Sequence, residues 1–199
     1  MTTLVQFGPK DHGRSVSADD LENADFSEGF RYEVIEGRLY VSPVPNLSEN
    51  QLESWIFGTM YLYSRTHPES ANYVSCKPRV FVSESPLLTV PEPDVAVYRN
   101  FPVDLDIEDV VWQDVSPILV IEVLTGDGDK DLVRNVALYG RVDSIREYWV
   151  IDGRESQSRP DLRVHRRRGR QWVIRDYQFD TLYSTRLLPD FSLRVNPRS

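Results

Sequence analysis

Two short strand-like runs, 31–35 and 38–42, flank Glu36-Gly37, which predicts a tight hairpin. Ser42-Pro43-Val44-Pro45-Asn46 then breaks the pattern. Leu52, Trp55, Ile56, Met60 and Tyr63 recur at helical spacing, so an amphipathic helix is expected over about 47–66. The chain turns strand-like over 73–83 and 94–98, with Pro86, Pro91 and Pro93 marking the connection. An acidic, loop-like stretch covers 100–113. The most apolar run, 118–124, reads as a central strand. Leu132, Val133, Val136 and Tyr139 give a second helix over 129–140, followed by an aromatic and β-branched strand at 147–152. A hairpin over 162–177 turns near Arg168-Gly169, and 187–195 adds a last strand. Residues 1–28 are polar and poorly patterned, with a short helix after Ser17, whose hydroxyl precedes an acidic first turn. The order of strands, helix, strands, helix, strands predicts one α/β (α+β) domain over 29–199, built on a mixed sheet flanked by helices.

Composition narrows the function classes. A chain of 199 residues supports one real core, and 40% hydrophobic with 27% charged residues is ordinary for a globular protein. No run approaches the roughly 20 apolar residues of a membrane span, and the first residues lack a signal peptide's basic start and apolar stretch. The single cysteine, Cys76, excludes an intramolecular disulfide and fits a reducing cytosol, so a cytoplasmic protein is expected. A net charge of −8 argues against a protein that coats nucleic acid, but it leaves room for a metal site and a local basic patch.

Candidate chemistry starts from Glu122, a carboxylate inside Ile118-Leu119-Val120-Ile121-Glu122-Val123-Leu124. An unpaired charge in a buried strand is costly, so Glu122 requires a partner, a metal or an open face. A second acid, Asp94, opens the apolar run Asp94-Val95-Ala96-Val97-Tyr98. If these strands are neighbours, the two carboxylates converge and suit Mg²⁺ or Mn²⁺, since Mg²⁺ takes a few carboxylates plus water and substrate phosphate. The alternative is that Asp94 caps a turn after Pro93 and Glu122 pairs with an arginine. Arg163, Arg166, Arg167, Arg168 and Arg170 with His165 form the basic patch, a candidate for phosphate contact led by Arg166, Arg167 and Arg168. The alternative there is a charged hairpin that discourages edge-to-edge pairing. The three histidines have no zinc-ligand spacing, and no glycine-rich phosphate loop or nucleophile elbow is present.

An ordered set of short motifs carries a family resemblance. Tyr32-Glu33-Val34-Ile35-Glu36-Gly37, Ser42-Pro43-Val44-Pro45, Pro93-Asp94, Ile121-Glu122-Val123-Leu124, Asp131, Tyr139 and Glu147-Tyr148-Trp149 resemble the Uma-two restriction endonuclease family of the PD-(D/E)XK nuclease superfamily. The resemblance implies a restriction-endonuclease-like fold and a Mg²⁺-dependent endonuclease acting on DNA, with a homodimer favoured if both strands are cut. By position it implies that Asp94 and Glu122 are metal-binding and catalytic, that the Val123 carbonyl contributes, and that Glu33 completes the site. Two departures stand out. Leu124 occupies the superfamily's lysine position on the strand, and Asn135 stands where this family places a lysine in the following helix. Lys130, at the start of that helix, is the expected replacement. A second function class, a catalytically degenerate scaffold that binds nucleic acid or a protein partner, takes its support from Asn135. Relatives also often carry a histidine where Asn50 stands before Gln51.

Overall fold

The computed structural model describes residues 5–44, 46–83, 85–126, 128 and 130–199. Strand β1 (Val5–Phe7) pairs in parallel with β2 (Ala24–Phe26), and between them lies α1 (Ala18–Glu22). Ser17 caps α1 through a reciprocal bond with Asp20, which satisfies amides at the helix start. Phe7, Val16 and Leu21 are buried with Tyr32, Val34 and Leu39. Strands β3 (Phe30–Ile35) and β4 (Arg38–Pro43) form the hairpin expected at Glu36-Gly37. Both turn residues have positive φ, 50° and 72°, the pairing that matches strand twist in a two-residue loop.

Helix α2 (Leu47–Thr66) starts at Asn46, whose side chain accepts the Glu49 amide at 3.0 Å. Beyond it, β5 (Tyr73–Cys76), β6 (Val95–Tyr98), β7 (Leu119–Leu124), β8 (Glu147–Asp152), β9 (Asp161–Arg168) and β10 (Gln171–Tyr177) make one six-stranded sheet in the order β10-β9-β8-β7-β6-β5. Only β7 and β8 run parallel among these neighbours; the other pairs are antiparallel. The C-terminal β11 (Leu182–Ser184) pairs with β12 (Ser192–Arg194).

Alternation along β7 and β8 sorts their side chains onto two faces. Ile121, Val123, Trp149 and Ile151 pack against Leu52, Ile56 and Met60 of α2. Val120, Leu124, Tyr148 and Val150 pack on the other side, against Tyr139 and Ile145. Glu122 lies between Ile121 and Val123, so its side chain belongs to this second face.

Three expectations change in extent. The strand expected over 73–83 ends at Cys76, because Lys77 adopts φ 50° and turns the chain out of the ladder. The second helix is a wide π-turn over Lys130–Arg134 that tightens into α3 (Asn135–Tyr139). The last strand is confined to β12, and β11 was hidden by its length of three residues. Pro45 of the quoted motifs lies outside the described residues, as do Asp127 and Asp129 before Lys130. Among the described residues, no helix is long and apolar enough to cross a membrane.

Candidate active site

Asp94 sits one residue before β6, opposite Glu122 of β7, and the two are only 2% and 3% exposed. They are tied to each other's backbone. The Val123 amide donates to Asp94 Oδ2 at 2.7 Å, and the Asp94 amide donates to Glu122 Oε2 at 3.3 Å. Side chains thus continue the β6–β7 ladder past its last backbone pair, which fixes both carboxylates. Val123 lies beside them through its backbone, while its side chain faces α2.

The π-turn and α3 supply the other wall. Widening a helix by one residue per turn changes which side chains share a face, and such turns recur at functional sites. Here Asp131, Asn135 and Tyr139, four residues apart, line the wall beside Glu122. Asn135 Nδ2 donates to Glu122 Oε1 at 2.9 Å and to Asp131 Oδ1 at 3.0 Å. The Tyr139 hydroxyl donates to the same Glu122 oxygen at 2.9 Å. Asn135 is fully buried, so the position where the family resemblance implies a lysine reaches the carboxylates in this chain as a neutral amide.

Two more elements close the site. Glu33 of β3 pairs with Lys130 at 2.9 Å and with Arg134 at 3.6 Å, and its other oxygen accepts the Glu92 amide at 3.3 Å. Arg31, two residues earlier on the same strand face, places its guanidinium 2.9 Å from Asp94 and also engages Glu53 of α2. Lys77 lies 3.3 Å from Glu53. Sequence reading missed Arg31, Glu53 and the bridging role of Asn135. The one available signal was the i, i+2 spacing of Arg31 and Glu33.

The electrostatics are those of crowded acids. Burial first, then the fields of Asp131 and Asp94, push the Glu122 carboxyl well above the usual range, against the pull of Lys130. Burial raises Asp131 to about 6, although Lys130 favours its ionised form. Burial also raises Glu92 to about 7, opposed by Arg79. Burial works against the charge of Lys130, but Glu33 and Glu122 outweigh it and raise its pKa. Among the described residues, seven carboxylates (Glu33, Glu49, Glu53, Glu92, Asp94, Glu122, Asp131) interlock with five cations (Arg31, Lys77, Arg79, Lys130, Arg134). The acids outnumber the cations, and the raised carboxyls of Glu122, Asp131 and Glu92 are how the site carries that surplus without a further cation.

The donor set fits a divalent cation. It is all oxygen, and Asp94 Oδ1 is buried without a hydrogen bond of good geometry, although Arg31 lies near it. No group of three His, Cys, Asp or Glu side chains among the described residues forms a ready cation cage. Mg²⁺ does not need one, because one or two carboxylates plus waters and substrate phosphate complete its shell.

The basic patch lies elsewhere. Arg166 sits opposite Glu147, three residues along the strands from the level of Glu122, about 10 Å away along them. It donates to Glu147 at 2.7 Å. Arg167, its side chain only 5% exposed, donates to the carbonyls of Tyr139, Gly140, Val142 and Ile145 and covers Trp172, so it closes the C-terminal end of α3. Arg168 is exposed. The structure therefore does not bring these arginines to the carboxylates.

A family model, Uma2, described as "putative restriction endonuclease", matches residues 18–196. Solved structures with a similar fold include one described as a "putative nuclease belonging to DUF820" from Anabaena variabilis ATCC 29413. It has a TM-score of 0.65 and 15% identity over 90% of this chain and 95% of that one. No curated protein matches the sequence.

Proposed function

From the premise that the chain belongs to the Uma2 restriction endonuclease family, we propose that it is a metal-dependent endonuclease that hydrolyses phosphodiester bonds in DNA at the carboxylate site. The observation that carries this reading is the pair of buried acids on neighbouring strands, each held by a backbone amide of the other strand. Asp94, Glu122 and the Val123 carbonyl, with Glu33 assisting, would hold Mg²⁺ or Mn²⁺. Such an ion supplies Lewis-acid charge neutralisation at phosphate and lowers the pKa of a bound water.

The chain's own residues prepare the site for that task. Asn135 and Tyr139 fix one oxygen of Glu122 and leave the carboxylate plane no freedom to turn. Asp94 is oriented by the Val123 amide. Lys130, held by Glu33, places a positive charge beside the carboxylates, where negative charge develops on a reacting phosphate. A two-fold dimer would present two such sites to the two strands of a duplex.

A second reading has one observation in its favour. Asn135 satisfies Glu122 and Asp131 together without a metal, as in a scaffold that binds nucleic acid or protein without cutting. Plasmid nicking with Mg²⁺ or Mn²⁺, against an EDTA control and against Glu122→Gln, separates the two. Metal-dependent nicks lost in the variant support the endonuclease; no nicking with either metal, alongside no metal binding by calorimetry, rules it out.

A further inference from the structure

At the end of the sheet remote from the carboxylates lies a cavity of about 500 Å³ whose charged lining is almost wholly arginine. Arg146, Arg168 and Arg186 come from three separate segments: the turn before β8, the end of β9 and the loop after β11. All three are exposed, and none has a side-chain partner among the described residues. Arg166 is different. Its Nε is fixed at 2.7 Å by Glu147, itself buried and accepting from Trp149, Tyr183 and Thr185 at 2.9, 2.8 and 2.6 Å. Its NH2 makes only long contacts, 3.4 Å to Tyr183 and 3.5 Å to Thr185. A guanidinium anchored at one edge keeps its other donors aimed in a fixed direction, which suits planar recognition of phosphate oxygens.

In a chain of net charge −8, four arginines converging with only one buried acid are an uncommon concentration of positive charge. Among the described residues Glu147 offsets it only at Arg166. Like charges repel, so an unpaired cluster is stabilised by a polyanion that spans it.

We infer that Arg146, Arg166, Arg168 and Arg186 form a phosphodiester-binding site, separate from the carboxylate site, that grips the backbone of a nucleic-acid duplex. The inference rests on the reading of the chain as a protein that acts on DNA. Several arginines spread around one opening fit successive phosphates of a strand rather than one free phosphate.

The test is fluorescence anisotropy with a labelled DNA duplex of two helical turns, in EDTA, across a salt series. The probe protein is the full chain, compared with the triple variant R146Q/R168Q/R186Q and a control, K10Q, on the exposed turn after β1. Losing three phosphate contacts reduces the salt slope of log affinity by about 2.7, and affinity at moderate salt falls roughly tenfold or more. The melting temperature stays put, because none of the three holds another group, and K10Q binds as the parent does. Calorimetry with inorganic phosphate is the second arm. Equal affinity and slope in the triple variant overturns the inference. So does tight inorganic phosphate binding with no duplex binding, which marks a small-anion site. Because EDTA removes cleavage from the assay, duplex binding through these arginines in a protein that never nicks plasmid refutes the nuclease reading and leaves this site standing.

Discussion

Replacing Glu122 by Gln tests whether this acid serves a metal or the fold. The isosteric amide can still accept from Asn135 and Tyr139 through its carbonyl. It then turns its NH2 toward the Asp94 amide, and that 3.3 Å bond is lost. One hydrogen bond lost from a buried site costs about 1 kcal/mol. Against it stands the relief of holding a carboxylate among Asp94 and Asp131. Every pKa unit of such a raise corresponds to about 1.4 kcal/mol of penalty on the charged form. The Glu122 carboxyl is pushed well up by burial and then by those two neighbours, so relief wins. In EDTA at neutral pH, the melting temperature is expected to hold or to rise, at roughly 2–4 °C per kcal/mol for a chain of this size. With Mg²⁺ or Mn²⁺ present, calorimetric binding weakens and plasmid nicking disappears. The measurements are a thermal melt with and without metal, a titration and the nicking assay on the same preparations. A fall in melting temperature of more than about 5 °C in EDTA would show that Glu122 is a structural partner and refute the charge argument.

Three further outcomes follow from the same geometry. Lys130→Ala lowers nicking by roughly a hundredfold while metal affinity stays nearly constant, the scale of one electrostatic stabiliser at a reacting centre; Asn135→Lys leaves nicking within a few-fold, and if it instead switches on a silent protein, the scaffold reading is correct. Glu147→Gln removes the pair with the part-exposed Arg166 and disturbs the hydrogen bonds around this buried side chain, so stability falls by about 1–3 kcal/mol in a denaturant melt, and an unchanged midpoint would contradict it. Glu92, raised to about 7 by burial, binds more protons folded than unfolded, so its contribution is present below its ordinary pKa and is lost as pH rises through about 7; in EDTA the parent therefore loses stability between about pH 5 and 8 relative to Glu92→Gln, and parallel pH curves for the two would disprove it.

What was legible in the sequence follows how local the governing physics is. The Glu36-Gly37 turn and the helix carrying Leu52, Ile56 and Met60 need only near neighbours, and both form where the pattern places them. Strand β7 is buried on both faces along its whole length, so its central place in the sheet was readable, while β8 was readable as a strand but not as β7's parallel neighbour. The three-residue strands β1, β2 and β11 carry too little pattern to stand out, because their stability comes from residues far along the chain. The π-turn was equally silent. A helical pattern at Leu132, Val133, Val136 and Tyr139 says nothing about a widened turn, nor that Asn135, four residues after Asp131, bridges Asp131 to Glu122.

Among charged residues the division is sharper. Glu122 was conspicuous because an acid inside an apolar strand violates the cost of burial. Arg166, Arg167 and Arg168 were conspicuous only as a run, and a run does not say where each side chain goes. Successive residues on a strand point to opposite faces, so Arg166 meets Glu147 on the α2 side while Arg167 crosses to the end of α3. Arg168, past the last paired position with β8, stays in solvent. One sequence cluster is therefore divided among three tasks: a fixed guanidinium, a helix terminus and a free cation. The carboxylate site is assembled in the opposite manner, from acids and cations scattered over Arg31, Glu33, Glu53, Lys77, Asp94, Glu122 and Lys130. Their convergence depends on the hairpin β3–β4 crossing the open end of β6 and β7. Burial and the neighbouring acids push the Glu122 carboxyl up, and a cation bound between Asp94 and Glu122 would reverse that push by favouring the ionised form, which is the strongest physical argument that the site is built around one more cation.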